Sequence, residues 1–308
     1  MSVTLGELVK EGAQRLAAGQ VPDPYRTAVH LVRETLEVDA AKLIAHPEHQ
    51  VDEDVVALVR QAFARRAGGE PLQYITGRQS FYGRTFQVTS DVLIPRPETE
   101  LLVEAVLDYT RGQVRTDWRV LDVGTGSGCL AVTLAAELPG AQVWAVDISP
   151  AALAVATANA QCQGVAERVA FVESDWLSAL PTDTPPFDII VSNPPYIAEH
   201  EFTGLQREVR DHEPYVALIA GPSGTEAYER LLSELPPWLA PGGILACEVG
   251  FGQATQVGAL AEIHGWQVQR VMNDLQGIPR ALLFTPLPMW WTINERVNYP
   301  PGSSSDTY

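Results

Sequence analysis

The run Phe187-Asp188-Ile189-Ile190-Val191-Ser192 leads directly into Asn193-Pro194-Pro195-Tyr196. It is short, apolar and rich in β-branched residues, which predicts a buried strand of a parallel sheet. Two consecutive prolines then end it, because neither has an N–H for a ladder and each restricts the residue before it. The chain is therefore committed to a stiff elbow just past a strand's carboxyl end, where open α/β sheets hold their ligands. The amide oxygen of Asn193 and the carbonyl of Pro194 supply two acceptors there, and Tyr196 supplies an aromatic face. A planar NH2 group suits that arrangement. Taken alone, the tetrapeptide also fits an ordinary strand-ending turn.

A second segment narrows the reading. Arg119-Val120-Leu121-Asp122-Val123 predicts another buried strand, followed by Gly124-Thr125-Gly126-Ser127-Gly128 and a helical, Ala-rich stretch from Leu130 to Leu138. Strand, glycine loop and helix together bring backbone N–H groups to a ligand at a helix N-terminus. A dinucleotide fingerprint would need a third glycine at position 129, but that residue is Cys129. The chain instead has an acid, Asp122, ahead of three alternating glycines. A predicted strand from Gln142 to Val146 ends in Asp147, placed to accept ribose hydroxyls. Another, Val169 to Glu173, leads to Asp175 and Trp176, an edge and a face for adenine.

This order resembles the S-adenosylmethionine-dependent methyltransferases with a Rossmann-like sheet, in which loop, ribose acid, adenine-side residues and elbow sit on successive strand ends. The resemblance implies S-adenosylmethionine as cofactor, held by Gly124, Thr125, Gly126, Ser127, Gly128, Asp147, Asp175, Trp176 and Asn193.

The 308 residues, 46% hydrophobic and 19% charged, are enough for one large or two modest soluble domains. No apolar run reaches bilayer length, and the N-terminus lacks a basic region followed by an apolar stretch, so a cytoplasmic protein without membrane contact is expected. Cys129, Cys162 and Cys247 read as small buried hydrophobes in a reducing compartment, and no metal site is expected. A formal net charge of −17 argues against a broad nucleic-acid surface. Arg60, Arg65 and Arg66 form a local basic group on one predicted helix.

Residues 1–75 read as a small α-helical bundle. Thr4 and Glu7 form a capping box, Asp23-Pro24 opens a helix through Leu36, and Asp39 starts a short one. Acids at 52–54 begin a helix through Arg66, with Val55, Leu58, Val59, Ala62 and Phe63 as its core stripe. Residues 76–96 read as a β-hairpin linker, with Gln79 to Val88 turning at Gly83-Arg84. The sheet domain spans 97–286, and 287–308 is a tail expected to be partly disordered.

Three segments here, Glu70-Pro71-Leu72-Gln73-Tyr74-Ile75-Thr76-Gly77, Phe81-Tyr82-Gly83 and Leu93-Ile94-Pro95-Arg96-Pro97-Glu98-Thr99-Glu100, resemble the HemK/PrmC family. Asp274, Gly277 and Arg280 match its closing pattern. That family methylates the GGQ glutamine of peptide-chain release factors. The resemblance runs over roughly residues 4 to 285. It implies a seven-stranded Rossmann-like methyltransferase domain behind the helical bundle, with release factors as protein partners. It also implies Asn193, Pro194 and Tyr196 as the catalytic group, with Asn193, Pro194, Pro195, Tyr196, Phe81, Arg96 and Glu98 lining the substrate site. The competing reading is a nucleic-acid methyltransferase acting on an exocyclic amine of adenine or guanine, since a flipped base presents the same planar NH2. A third is a non-catalytic module that binds cofactor and presents the bundle to a partner.

Overall fold

The computed structural model describes residues 3–287, so the expected tail at 287–308 lies, beyond Leu287, outside the described residues. The chain divides into two compact units. The first comprises the chain up to Gln79, together with Gln87–Ile94 and Phe202–Tyr215; the second holds the rest. The first thus draws in a segment from the middle of the expected sheet domain.

In the first unit, α1 (Leu5–Ala18), α2 (Pro24–Leu36), α3 (Ala40–Ala45), α4 (Glu53–Ala67) and α5 (Leu72–Thr76) follow in order. The Thr4–Glu7 capping box starts α1, and Asp39 caps α3 by accepting from the Lys42 N–H. Their apolar stripes share a core of Leu5, Leu8, Leu16, Leu31, Val32, Val59 and Phe63. On α4 the buried set is Val56, Val59, Ala62 and Phe63, whereas Leu58 is 56% exposed. The expected stripe thus holds at Val59, Ala62 and Phe63, with Val55 only partly buried against the same core, while Val56 takes the place expected of Leu58. The basic group does not stand free: Arg60 pairs with Glu11, Arg65 with Glu70 and Arg66 with Glu208.

The hairpin strands Arg78–Phe81 and Arg84–Gln87 turn at Tyr82 and Gly83, both with positive φ (48° and 70°), as a two-residue type I′ turn requires. The turn thus falls one residue earlier than Gly83-Arg84.

The second unit is built on β1 (Arg119–Val123), β2 (Gln142–Asp147), β3 (Val169–Glu173), β4 (Phe187–Ser192), β5 (Leu239–Glu248), β6 (Trp266–Asn273) and β7 (Pro279–Pro286). Their order across the sheet is β6-β7-β5-β4-β1-β2-β3. The first five strands pair in parallel, while β7 lies antiparallel between β5 and β6. Between β6 and β7 the chain turns on Asp274, which accepts from the Gln276 and Ile278 N–H groups and pairs with Arg280. Helices α6 (Glu100–Thr110), α7 (Cys129–Glu137), α8 (Pro150–Cys162), α9 (Glu226–Glu234) and α10 (Ala254–Ile263) flank the sheet.

Alternate residues of each strand enter different cores. Val120, Ile189, Val191 and Ala246 pack with α6 and α7, and Leu121, Ile190, Leu245 and Cys247 pack with α9 and α10. All six β4 residues are buried, which explains the unbroken apolar run. Its one acid, Asp188, takes both ends of the Arg115 guanidinium and the Arg119 N–H at 2.6–2.8 Å. Cys247 is buried and Cys129 partly so, but Cys162 is exposed on the last turn of α8, contrary to its reading as a core residue. None of the helices among the described residues is long and apolar enough to cross a membrane.

Candidate active site

The strand order reverses between β1 and β4, so their carboxyl ends flank the crevice that such sheets use for ligands. Ser192 ties the two ends together by donating to the Val123 carbonyl at 2.8 Å. The glycine loop leaves β1 and the elbow leaves β4, side by side.

At the elbow, Asn193 donates from Nδ2 to the Thr99 hydroxyl at 3.2 Å, and Thr99 donates to Glu248 Oε2 at 2.5 Å. Thr99 ends the 3₁₀ turn Pro97–Thr99 ahead of α6, and Glu248 is the last residue of β5. Both are buried, at 2% and 3% exposure. Loss of water pushes the Glu248 carboxyl up to about 7 against the pull of the Thr99 hydrogen bond. Among the described residues, no group donates to Asn193 Oδ1 or to the Pro194 carbonyl. The Tyr196 carbonyl accepts from Gln253 Nε2 at 2.9 Å, and Gln253 Oε1 accepts from the Gly250 N–H and the Tyr228 hydroxyl. Gly250 must be glycine here, because a Cβ would stand 2.9 Å from the Tyr196 ring.

Asp122 braces the glycine loop by accepting from Thr125 Oγ1 at 2.7 Å and from the Ala131 N–H on α7. Asp147 spans the next strand end, accepting from the Gly126 and Ser149 N–H groups at 2.8 and 2.9 Å. Buried Asn159 on α8 adds a bond from Nδ2 to the Ser127 carbonyl. Burial pushes the Asp122 carboxyl up to about 7 and raises Asp147 as well.

The loop fits the implied cofactor. Two buried oxygens at its base, Asp122 Oδ1 and Ser127 Oγ, have no hydrogen-bond partner among the described residues. A Cβ at Gly124 or Gly126 would meet nothing within 4 Å, so the loop borders open space, although the Gly124 and Thr125 N–H groups are bonded to the Val146 carbonyl and that of Gly126 to Asp147. Each Asp147 oxygen accepts one N–H and retains a lone pair for a ribose hydroxyl.

Other expected residues divide. Trp176 sits beyond β3 with φ 55°, and Arg230 of α9 lies over its ring at 5.5 Å. The same arginine holds both oxygens of Asp175, so that carboxylate is already engaged. Arg96 and Glu98 are half-buried, and their charges act on Tyr196 and Glu248. Phe81 does not line the site. It is 1% exposed, edge-on to Phe86 in the core beside α6, because the strand's alternation turns it inward. The sequence alone does not single out Glu248, Asn159 or Gln253 as site residues, and it offers Thr99 only as a member of the 93–100 segment. Glu248 carried a signal there, as an acid between Cys247 and Val249 in an otherwise apolar strand.

A reversing parallel sheet, a glycine loop braced by acids at two strand ends, and an acceptor pair at the neighbouring strand end define a Rossmann-like methyltransferase. Residues 7–77 match the family description PrmC N-terminal domain, and residues 97–209 match Methyltransferase small domain. The chain is 45% identical over 281 residues to a release factor glutamine methyltransferase of Koribacter versatilis, covering 91% of this chain and 98% of that one. A protein of the same description from Nitratidesulfovibrio vulgaris is 41% identical over 281 residues, covering 91% and 94%. The chain belongs to the release factor glutamine methyltransferase family. Among solved structures, the hMettl16 catalytic domain in complex with a MAT2A 3'UTR hairpin shares the fold, with a TM-score of 0.53, 17% identity and coverage of 76% and 82%.

Proposed function

We propose that this protein transfers the methyl group of S-adenosylmethionine to the side-chain amide nitrogen of the glutamine in the GGQ motif of peptide-chain release factors, in the cytoplasm. The observation that carries the reading is the pair of unclaimed acceptors, Asn193 Oδ1 and the Pro194 carbonyl, beside the glycine loop. A glutamine NH2 has two hydrogens, one for each acceptor. Its nitrogen lone pair is delocalised into the carbonyl, so orientation matters more than basicity. Two fixed acceptors hold the nitrogen in one direction and support positive charge as it forms a bond. Orientation alone supplies about 7–11 kcal/mol in well-aligned reactions. Tyr196 packs against the amide plane, while Arg96 and Glu98 line the approach. The cofactor, when bound, supplies a methyl group activated by its sulfonium charge. No side chain need act as base before transfer, because the alkylated nitrogen gives up its proton readily afterwards. Glu199, His200 and His212 have no part in it. The helical unit recognises the release factor away from the chemistry.

The test is methyl labelling of a release factor, its GGQ→GGA variant, DNA and RNA by the same preparation. Labelling of the release factor alone, lost in the variant, is expected. Labelling only of nucleic acid would instead assign the acceptor pair to a base amine.

A further inference from the structure

Asn193 serves as an acceptor only while its oxygen faces the substrate. Its amide is nearly symmetric in shape, and a half-turn about the last side-chain bond would present NH2 instead. We infer that Thr99 and Glu248 form a positioning pair that fixes the direction of the Asn193 amide, an inference that rests on the proposed glutamine reading. A threonine hydroxyl has one proton, and an ionised carboxylate has none to offer. The Thr99 proton is committed to Glu248 Oε2, so only lone pairs face Asn193. Lone pairs accept N–H, which is the bond formed from Asn193 Nδ2. A reversed amide would set Oδ1 against a hydroxyl with no proton to share, in a place where Thr99 and Glu248 are almost wholly buried. The carboxylate thus sets the polarity of the chain, and the chain points the acceptor outward.

Protonation of Glu248 reverses this logic. A protonated Glu248 can donate to Thr99, freeing the Thr99 proton for Asn193 Oδ1. The charges facing Glu248 are Glu98 and Arg96 from the segment ahead of α6 and Arg280 from β7. The uncharged titratable groups around it are the Tyr196 hydroxyl at the elbow, the Tyr228 hydroxyl on α9, the Cys129 thiol at the start of α7 and the adjoining Cys247. Glu98 opposes ionisation of Glu248, and the two arginines favour it. Turnover should therefore decline on the acid side as Glu248 takes up its proton.

Full-length Thr99→Val, Thr99→Ser and Glu248→Gln decide the matter, each checked for folding and for S-adenosylmethionine binding by calorimetry. Thr99→Val is expected to lower kcat on a release factor by ~30-fold or more with cofactor affinity unchanged, and Thr99→Ser to restore most of it. Glu248→Gln, which can donate as well as accept, should lower kcat ~10-fold and remove the acid limb of the pH profile. A wild-type rate in Thr99→Val, a serine variant no better than valine, or an unchanged acid limb in Glu248→Gln overturns the inference. NMR of the Asn193 side-chain amide, assigned by its loss in Asn193→Asp, reads the same geometry without turnover. One Nδ2 proton should be shifted downfield and protected in the parent and Thr99→Ser, and not in Thr99→Val; equal signals in all three overturn the inference. A parent protein that labels no release factor removes the substrate reading, and the NMR comparison then still decides the positioning pair.

Discussion

Asn193 follows the last residue of β4 and Asp147 ends β2, on either side of β1, yet the structure gives them separable bonds. Asn193 makes no bond to the glycine loop, and its Nδ2 is spent on Thr99, leaving Oδ1 without a donor among the described residues. Asp147 holds the loop closed through Gly126 and Ser149. Asn193→Ala should therefore lower turnover by about 10²–10³-fold, the scale seen when one fixed hydrogen-bond partner of a reacting group is removed. Cofactor affinity should change little. Asp147→Ala leaves two N–H groups without an acceptor and removes the acceptor proposed for the ribose hydroxyls, each worth about 1–3 kcal/mol. Affinity for S-adenosylmethionine should drop at least tenfold, measured by calorimetry. A larger loss of cofactor affinity in Asn193→Ala than in Asp147→Ala would defeat this division. Residues such as these were legible in the sequence because they follow strands that announce themselves by composition. Thr99 was not, since its importance arises from a hydrogen bond to a residue 149 positions away. Phe81 misled because an aromatic beside a turn gives no sign of which face of its strand it occupies.

Elements were easier to read than their partnerships. The helix starts at Thr4, Pro24 and Asp39 and the strand ends at Asp147 and Ser192 follow from local chemistry, and the structure places them there. Phase within a helix is a subtler matter: Val55, Val56, Leu58 and Val59 allow more than one apolar stripe, and only packing selects Val56. The joining of Phe202–Tyr215 to the first unit had no local signal at all, because it depends on distant polar partners, Arg66 for Glu208 and the Ile94 N–H for Glu213. Packing in that unit is tight where α1 meets α4. A Cβ at Gly12 would stand 2.2 Å from the Phe63 ring, inside a core that leaves Phe63 no exposed surface. Gly12→Ala gains helix propensity yet forces this ring to move, and overpacking of this kind costs about 1–3 kcal/mol. The variant should melt lower than the parent by calorimetry, with the earliest loss of protection in hydrogen exchange on α1 and α4. A variant as stable as the parent would show that Phe63 can move aside freely.

Across the whole molecule, a net charge of −17 at pH 7 and a small set of buried acids act in the same direction. Asp122 and Glu248 are pushed up to about 7, and Asp147 is raised too, chiefly because burial denies their charges water. Between their ordinary values near 4 and about pH 7, the folded chain retains protons that the unfolded chain has released. Stability therefore falls as pH rises through that window. Mutual repulsion among the surplus carboxylates adds to the decline. A second group runs the other way. Hydrogen bonds from the Ile278 N–H hold Asp274 low, the Arg270 side chain does the same for Asp108, and Arg60 does so for Glu11. What these carboxylates contribute is present above their ordinary range and lost as pH falls below about 4. The two windows leave the ligand-free protein most stable at about pH 5. Because each pH unit by which a buried acid is raised is worth about 1.4 kcal/mol, the midpoint of thermal unfolding should drop by several degrees between pH 5 and pH 8. Glu248→Gln and Asp122→Asn should flatten that decline, since neither amide has a charge to bury. A midpoint that climbs steadily from pH 5 to pH 8 in the ligand-free protein would mean that these acids ionise in the fold without cost.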